Sequence, residues 1–195
     1  MITVIVLAAG KSTRMEGQNK LLALVHGQPM IRGVVEAALD SKVDETLVVL
    51  GWEERKIRKA LMGLPCRLIV NKEFERGQSS SLKAGLNAIA LETRAVLVLP
   101  GDVAEIDSRS IDKVVDAYIS NGGTILVAAH NGRFGHPILL DSRIFSEIAR
   151  IDEETYGLKS VVKNHENEIR LVETGSDNVL RDVDTPGDLK GLTSR

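Results

Sequence analysis

Apolar residues follow two rhythms along this chain. Ile2 to Leu7, Leu47 to Leu50, Arg67 to Val70, Ala95 to Leu99 and Thr124 to Ala129 are short, largely continuous runs rich in Val, Ile and Leu. That is the pattern of strands buried on both faces. Between them lie amphipathic stretches. Met30 to Leu39 sets Ile31, Val34, Val35 and Ala38 on one helical face. Ile57, Leu61 and Leu64 mark a second helix, Leu82, Leu86 and Ile89 a third, and Ile111, Val114, Val115 and Tyr118 a fourth. Ser108 is placed to cap the fourth, and Asn121-Gly122-Gly123 to stop it. After Gly135 the rhythm changes. A short apolar run, Ile138 to Leu140, precedes a helix near Ser142 to Ala149. Ile169 to Glu173 and Val179 to Asp182 then alternate like short antiparallel strands.

Repeated strand–helix–strand units imply right-handed crossovers and a mainly parallel sheet covered on both sides. The expected fold is a three-layer α/β/α, Rossmann-like architecture. Without a Pro/Gly/Ser-rich linker, low-complexity tract or repeat, residues 1–195 read as one domain. A hydrophobic content of 43% argues against disorder, and a net charge of -2 gives no general pull toward nucleic acid or an anionic membrane. A polyanionic ligand therefore needs a local cluster of donors. The one cysteine, Cys66, precedes an apolar run and reads as a small buried thiol; with four scattered histidines it makes no zinc pattern. No apolar run is long enough to span a bilayer, and the chain opens on a strand-like run without a charged leader, so the expected location is cytoplasmic.

In open α/β folds ligands bind beyond the carboxyl ends of the strands. After the first strand come Leu7-Ala8-Ala9-Gly10-Lys11-Ser12-Thr13-Arg14-Met15. The small residues let a ligand approach the backbone, whose N–H groups can form an anion nest. Lys11, Arg14 and Lys20 add charge, and Ser12 and Thr13 add hydroxyl donors. Such a loop suits a triphosphate, although neither the Walker A nor the dinucleotide fingerprint is present. Past the strand Ala95 to Leu99, Asp102 follows a Pro-Gly turn, where a carboxylate can serve a hard cation such as magnesium. Asp182 and Asp184 alternate along an extended segment and point to one side. Thr185 and Pro186 then open a last helix as N-cap and N1.

LAAGKSTRM, Lys20-Leu21-Leu22 and Gly27-Gln28-Pro29 resemble the signature of the nucleotidyltransferase superfamily that includes sugar-nucleotide pyrophosphorylases. Gly77-Gln78-Ser79-Ser80-Ser81-Leu82-Lys83-Ala84-Gly85, Gly101-Asp102, Gly135-His136-Pro137 and Asp182-Val183-Asp184-Thr185-Pro186 narrow the resemblance to the MobA-like group, and within it to molybdenum cofactor cytidylyltransferases. The resemblance implies the nucleotidyltransferase fold and transfer of CMP from CTP to the phosphate of molybdopterin, with a molybdenum hydroxylase as eventual recipient. It implies that Mg2+, or Mn2+, is held by Asp102 and Asp184, with Asp182 structural. Arg14 and Lys20 would act with Asp102 in catalysis. The nucleotide would be held by Leu7, Ala8, Ala9, Gly10, Lys11, Ser12, Arg14, Lys20, Asn71, Gln78, Ser79, Ser80 and Ser81, and the acceptor by His136. In similar proteins the LAAG form accompanies CTP, because the Ala9 methyl narrows the base slot against a purine.

Two segments depart from that group. Val103-Ala104 stands where Gln-Pro is usual after the metal aspartate, and Asp152-Glu153-Glu154-Thr155-Tyr156-Gly157 where Gly-Asp-x-Gly is usual. The second lies on the acceptor side. A transferase using GTP or another triphosphate, a different phosphorylated acceptor such as a sugar phosphate, or a non-catalytic nucleotide sensor are the competing readings.

Overall fold

The apolar runs near the start of the chain do form strands, and these lie side by side. The structure is a computed structural model that describes residues 1–15 and 17–193. In chain order the elements are β1 (Ile2–Ala8), β2 (Leu24–Val25), β3 (Gln28–Pro29), α1 (Met30–Leu39), β4 (Glu45–Leu50), α2 (Glu54–Ala60), β5 (Arg67–Val70) and α3 (Gln78–Leu86). They continue as β6 (Ala95–Pro100), α4 (Ser108–Asn121), β7 (Ile125–His130), β8 (Arg133–Asp141), α5 (Phe145–Ile148), α6 (Leu158–Asn164), β9 (Ile169–Glu173) and α7 (Pro186–Thr193). Seven strands make one sheet in the order β5-β4-β1-β6-β8-β7-β9, and β2 and β3 form a separate ribbon. β5, β4, β1 and β6 are mutually parallel. β8 is antiparallel to both its neighbours, so β7 and β9 run with β1 again.

Successive strand side chains point to opposite faces and feed two cores. Val4, Val6, Ala8, Leu97 and Leu99 pack with Ile31 and Val35 of α1, Ile57 of α2 and Val114 of α4. Ile5, Val49, Val96 and Val98 pack with Leu82 and Leu86 of α3, Ile148 of α5 and Val161 of α6. Each aliphatic side chain so buried contributes about 1.5–3 kcal/mol. Helix α3 lies tightly on the sheet: a Cβ on Gly85 would stand 2.6 Å from Ile5 Cγ2. That close seat fixes where the N-terminus of α3 meets the sheet edge.

The parallel strands β1, β4, β5 and β6 end at that same edge, in Ala8, Leu50, Val70 and Pro100. Because β8 runs backwards and pairs Ile138 with Val98, its beginning, with His136, also reaches this edge.

Several boundaries differ from the pattern. α2 ends at Ala60 and α3 at Leu86, so Leu64 and Ile89 fall past them while still packing on the cores. The cap of α4 is Asp107, whose carboxylate accepts from Ser110 N at 2.8 Å, not Ser108. Ser142–Ile144 is a 3-10 turn, leaving only Phe145–Ile148 as α5. Ile169–Glu173 does form a strand, but pairs with β7 in parallel. Val179 to Asp182 does not form the expected strand: Asp177–Leu180 is a 3-10 turn, and only Asp182 makes an antiparallel bridge, to Val103. Ser110 Oγ bonds Asn178 Oδ1 at 3.1 Å, and the Val179 carbonyl presses on Gly135, so tertiary contacts with α4 and β8 take this segment away from strand pairing.

Candidate functional site

The glycine-bearing segment leaves β1 and turns over the sheet edge. Ser12 adopts φ +51, and its hydroxyl accepts from Lys20 N at 3.2 Å, closing the loop on itself. A cleft of about 380 Å³ opens under it. Its near wall is Leu7, Ala9, Gly10, Lys11, Ser12 and Arg14; its far wall is Phe74, Glu75, Gln78 and Ser81. Lys11 bridges the two walls through an ion pair with Glu75 at 2.5 Å and by lying 5.9 Å from the Phe74 ring centroid. The lysine beside it holds the Glu75 carboxyl below its usual range.

At the floor stands a charge cluster assembled from three distant segments. Lys20 Nζ donates to Asp102, to the Val183 carbonyl at 2.8 Å and to Asp184 at 3.3 Å. Arg14 donates to Asp184 at 2.8 Å. Backbone bonds hold the segments together: Val183 N donates to the Asp102 carbonyl at 3.0 Å, and Val103 bridges Asp182. Thr185 and Asp188 cap α7 reciprocally. Asp188 Oδ2 accepts from the N–H groups of Asp184 at 3.0 Å and Thr185 at 2.8 Å, while Thr185 Oγ1 accepts from Asp188 N at 3.3 Å. This pins the backbone of Asp184 and leaves its carboxylate for the cluster. Oδ1 of Asp102 is buried with no partner.

A second lobe of about 970 Å³ shares Leu7, Arg14, Lys20, Gln78, Pro100, Asp102 and Asp184 with the first cleft. The charge cluster is therefore the wall common to both. Ser79, His136 and Asp182 stand among the polar groups of this lobe, with Glu153, Lys159, Lys163 and Glu166 further along it, and Leu82, Val98, Ile138 and Ile151 form an apolar wall. Burial keeps the His136 imidazole below its ordinary range, against the pull of Asp182 and Asp102, and its Nδ1 has no partner. Asp182 is pushed the other way. Desolvation in the lobe raises its carboxyl, His136 opposes that, and repulsion from Asp102 and Asp184 adds to it.

Of the residues proposed from sequence, Leu7, Ala9, Gly10, Lys11, Ser12, Arg14, Lys20, Gln78, Ser81, Asp102 and Asp184 meet around the first cleft. Ser79 and His136 face the second lobe. Ala8, Asn71 and Ser80 line neither. Ala8 is a buried core residue on β1. Asn71 donates to the hydroxyls of Ser80 at 2.8 Å and Ser81 at 3.0 Å, and its carbonyl accepts from Glu73 N at 2.9 Å. Ser80 donates on to the Glu73 and Gly77 carbonyls. Both are committed to shaping the segment that carries Phe74 and Glu75. Those two residues were missed, because only the three-dimensional approach of 74–75 to Lys11 reveals them. Asp182, read as structural, lines the second lobe. Cys66 is half-buried rather than buried, and burial pushes its thiol up, away from reactivity.

Among the described residues no helix is long and apolar enough to cross a membrane. Comparison with known proteins points to one family: the profile of the MobA-like NTP transferase domain matches residues 4–169. The bifunctional protein GlmU of Desulfotalea psychrophila is 30% identical over 125 residues, which is 64% of this chain and 37% of that protein. The chain spans about a third of the length of such relatives. Rv0371c of Mycobacterium tuberculosis H37Rv has a solved structure with a TM-score of 0.84 and 25% identity, covering 100% of this chain and 97% of that one. Its manganese complex aligns with a TM-score of 0.80 at 23% identity, covering 99% and 98%. Mth528, a nucleotidyl transferase from Methanothermobacter thermautotroptrophicus, gives a TM-score of 0.85 at 21% identity, covering 100% and 96%.

Proposed function

Because the chain belongs to the MobA-like NTP transferase family and is a nucleotidyltransferase, we propose that it moves CMP from CTP to the phosphate of molybdopterin and releases pyrophosphate. Residues 1–195 act as one domain in this reading. The observation that carries it is the cluster of Lys20, Asp102 and Asp184 on the wall shared by two lobes. A donor in one lobe and an acceptor in the other would meet there.

The triphosphate lies in the first cleft, against the backbone of Gly10 to Arg14. Lys11 exchanges Glu75 for phosphate oxygens, and Arg14 and Lys20 offset the charge that remains. Gln78 and Ser81, on the far wall, face the nucleoside. Ala9, on the near wall, narrows the slot in favour of a pyrimidine. In the second lobe His136, neutral at pH 7, donates a hydrogen bond to the acceptor. An ionised acceptor phosphate needs no general base. Its oxygen bonds to the α-phosphorus as the bond to the β-phosphate oxygen breaks, and the electron pair leaves with pyrophosphate. Catalysis is positioning plus electrostatic stabilisation.

Asp102 and Asp184 suit a divalent cation. They are hard oxygen donors, they already hold an ammonium between them, and Asp102 Oδ1 is a buried acceptor without a partner. Among the described residues no group of three or more His, Cys, Asp or Glu could hold a metal ion. Magnesium needs only one or two carboxylates beside water and phosphate oxygens. Held by Asp102 and Asp184, it would supply positive charge against the phosphate oxygens.

The test is incubation with each nucleoside triphosphate, magnesium and molybdopterin, with mass analysis of the product. A cytidylylated molybdopterin and stoichiometric pyrophosphate are expected, and a molybdenum hydroxylase is then the recipient. Product only with GTP, or only with a sugar phosphate, overturns the nucleotide or acceptor assignment. CTP binding without turnover over a wide acceptor panel identifies a sensor instead.

A further inference from the structure

The N-terminus of α3 also borders the second lobe, where Ser79, Glu153 and Gly157 meet in a recess. The helix spans nine residues from Gln78, so its first N–H groups have no intrahelical partner and carry the positive end of the dipole. One of them, Ser79 N, donates to Glu153 Oε1 at 2.6 Å. Glu153 is an exposed residue of the 152–157 segment, 74 positions further along. Its side chain lies folded on Gly77: a Cβ there would stand 2.3 Å from Glu153 Cγ. Across the recess, a Cβ on Gly157 would stand 2.6 Å from Ser79 Oγ. Gly77 and Gly157, at φ +92 and +56, keep this space clear. Ser79 is 4% exposed and lines the second lobe, yet its hydroxyl is buried without a partner. A helix N-terminus that already holds a carboxylate, beside an idle buried hydroxyl, has the donors an oxyanion needs.

We propose that this recess receives an oxyanion of the acceptor, a carboxylate or a phosphate, and that Glu153 fills it until the acceptor arrives. The inference rests on the reading of the second lobe as the acceptor side. The exchange retains the bond from Ser79 N and adds one from Ser79 Oγ, which Glu153 leaves unused. Glu153 is anchored by that one hydrogen bond on an otherwise exposed side chain, so its release is easy. Glu153 then acts as a specificity-determining residue, because an acceptor without a suitably placed anion cannot displace it.

The probes are inorganic phosphate and acetate, followed by the backbone amide resonance of Ser79 in the full chain. In Glu153→Ala this resonance shifts saturably, at a phosphate concentration about tenfold or more below that needed by the wild type, since a charge-assisted internal competitor is gone. Adding Ser79→Ala to Glu153→Ala returns the requirement toward the wild-type level. A larger response to acetate than to phosphate assigns a carboxylate to the site, and the reverse a phosphate. Equal half-saturation in wild type and Glu153→Ala, or shifts confined to Gly10 through Arg14, overturns the proposal. CTP added alone reports on the nucleotide reading separately, through the amides of Gly10 to Arg14. If those fail to move while Ser79 answers to phosphate, the recess stands and the nucleotide assignment falls.

Discussion

Replacing Asp102 by Asn keeps the shape of the side chain and removes its charge, which separates the chemical role of the residue from its structural one. Asp102 and Lys20 expose only 16% and 15% of their side chains, so their attraction is poorly screened. The companion contact from Lys20 to Asp184 at 3.3 Å shows the scale: in an effective dielectric of about 20 it is worth roughly 5 kcal/mol gross, most of it offset by desolvation. In Asp102→Asn the ammonium keeps Asp184 and the Val183 carbonyl. The net loss of stability is then about 1–2 kcal/mol, lowering Tm by about 2–8 °C for a chain of this size. Transition-state stabilisation falls further, by about 3 kcal/mol or more, which slows transfer roughly a hundredfold. The assay is pyrophosphate release from CTP and magnesium with saturating acceptor, run well below the Tm of both proteins. Wild-type release by the folded variant, or a deficit that vanishes on cooling, refutes a chemical role for Asp102.

Arg14→Ala removes an exposed guanidinium paired with an accessible carboxylate, so Tm moves by no more than about 1 °C while the KM for CTP rises roughly tenfold; initial rates and thermal melts check both. Gly85→Ala drives a methyl to 2.6 Å from Ile5 Cγ2 and 3.2 Å from Val49 Cγ2, and overpacking of about 1–3 kcal/mol exceeds the gain of about 1 kcal/mol in helix propensity, so urea unfolding shows net destabilisation. Tyr118 is pushed up to about 12 by burial and by its 2.6 Å bond to Asp141, so an alkaline absorbance titration has a phase near 12 that Tyr118→Phe abolishes. Its folded pKa lies above the unfolded value of about 10, so this contribution to stability is complete below pH 10 and is lost between 10 and 12.

What was legible in the sequence was local. Continuous apolar runs gave β1 and β6, and three- and four-residue spacing gave α1 and α4, because strand burial and helix faces depend on neighbours a few residues away. The loop from Leu7 to Arg14 was legible for the same reason. Where long-range contacts compete with local pattern, the reading failed. Val179 to Asp182 alternates like a strand, yet Asn178 binds Ser110 across 68 positions and the chain turns through Asp177–Leu180 instead, leaving only the antiparallel bridge of Asp182 to Val103. Asn71 and Ser80 have the chemistry of ligand donors, but they satisfy each other and the backbone around them, so none of that capacity reaches the cleft.

The charge cluster shows how far local signals carry. Each member stood out alone: Lys20 after the basic loop, Asp102 past a strand end, Asp184 before a helix. Their meeting requires β1 and β6 to pair in parallel, which sets Leu7 opposite Pro100, and the bridge from Val103 to Asp182, which returns the end of the chain to that point. Lys20 reaches across 82 positions to Asp102 and 164 to Asp184. An ammonium placed between two carboxylates makes the apo cluster stable without neutralising it, since their charges still sum to -1 before Arg14 is counted. Once Arg14 is counted the sum is zero. In the proposed reaction, a triphosphate that draws Arg14 and Lys20 toward its own oxygens would uncover both carboxylates as a cation arrives with it. Binding of nucleotide and of cation are coupled by that exchange: each should tighten the other, and Lys20→Met, which frees Asp102 from the start and leaves Asp184 with Arg14 alone, should weaken nucleotide binding while making cation binding less dependent on nucleotide.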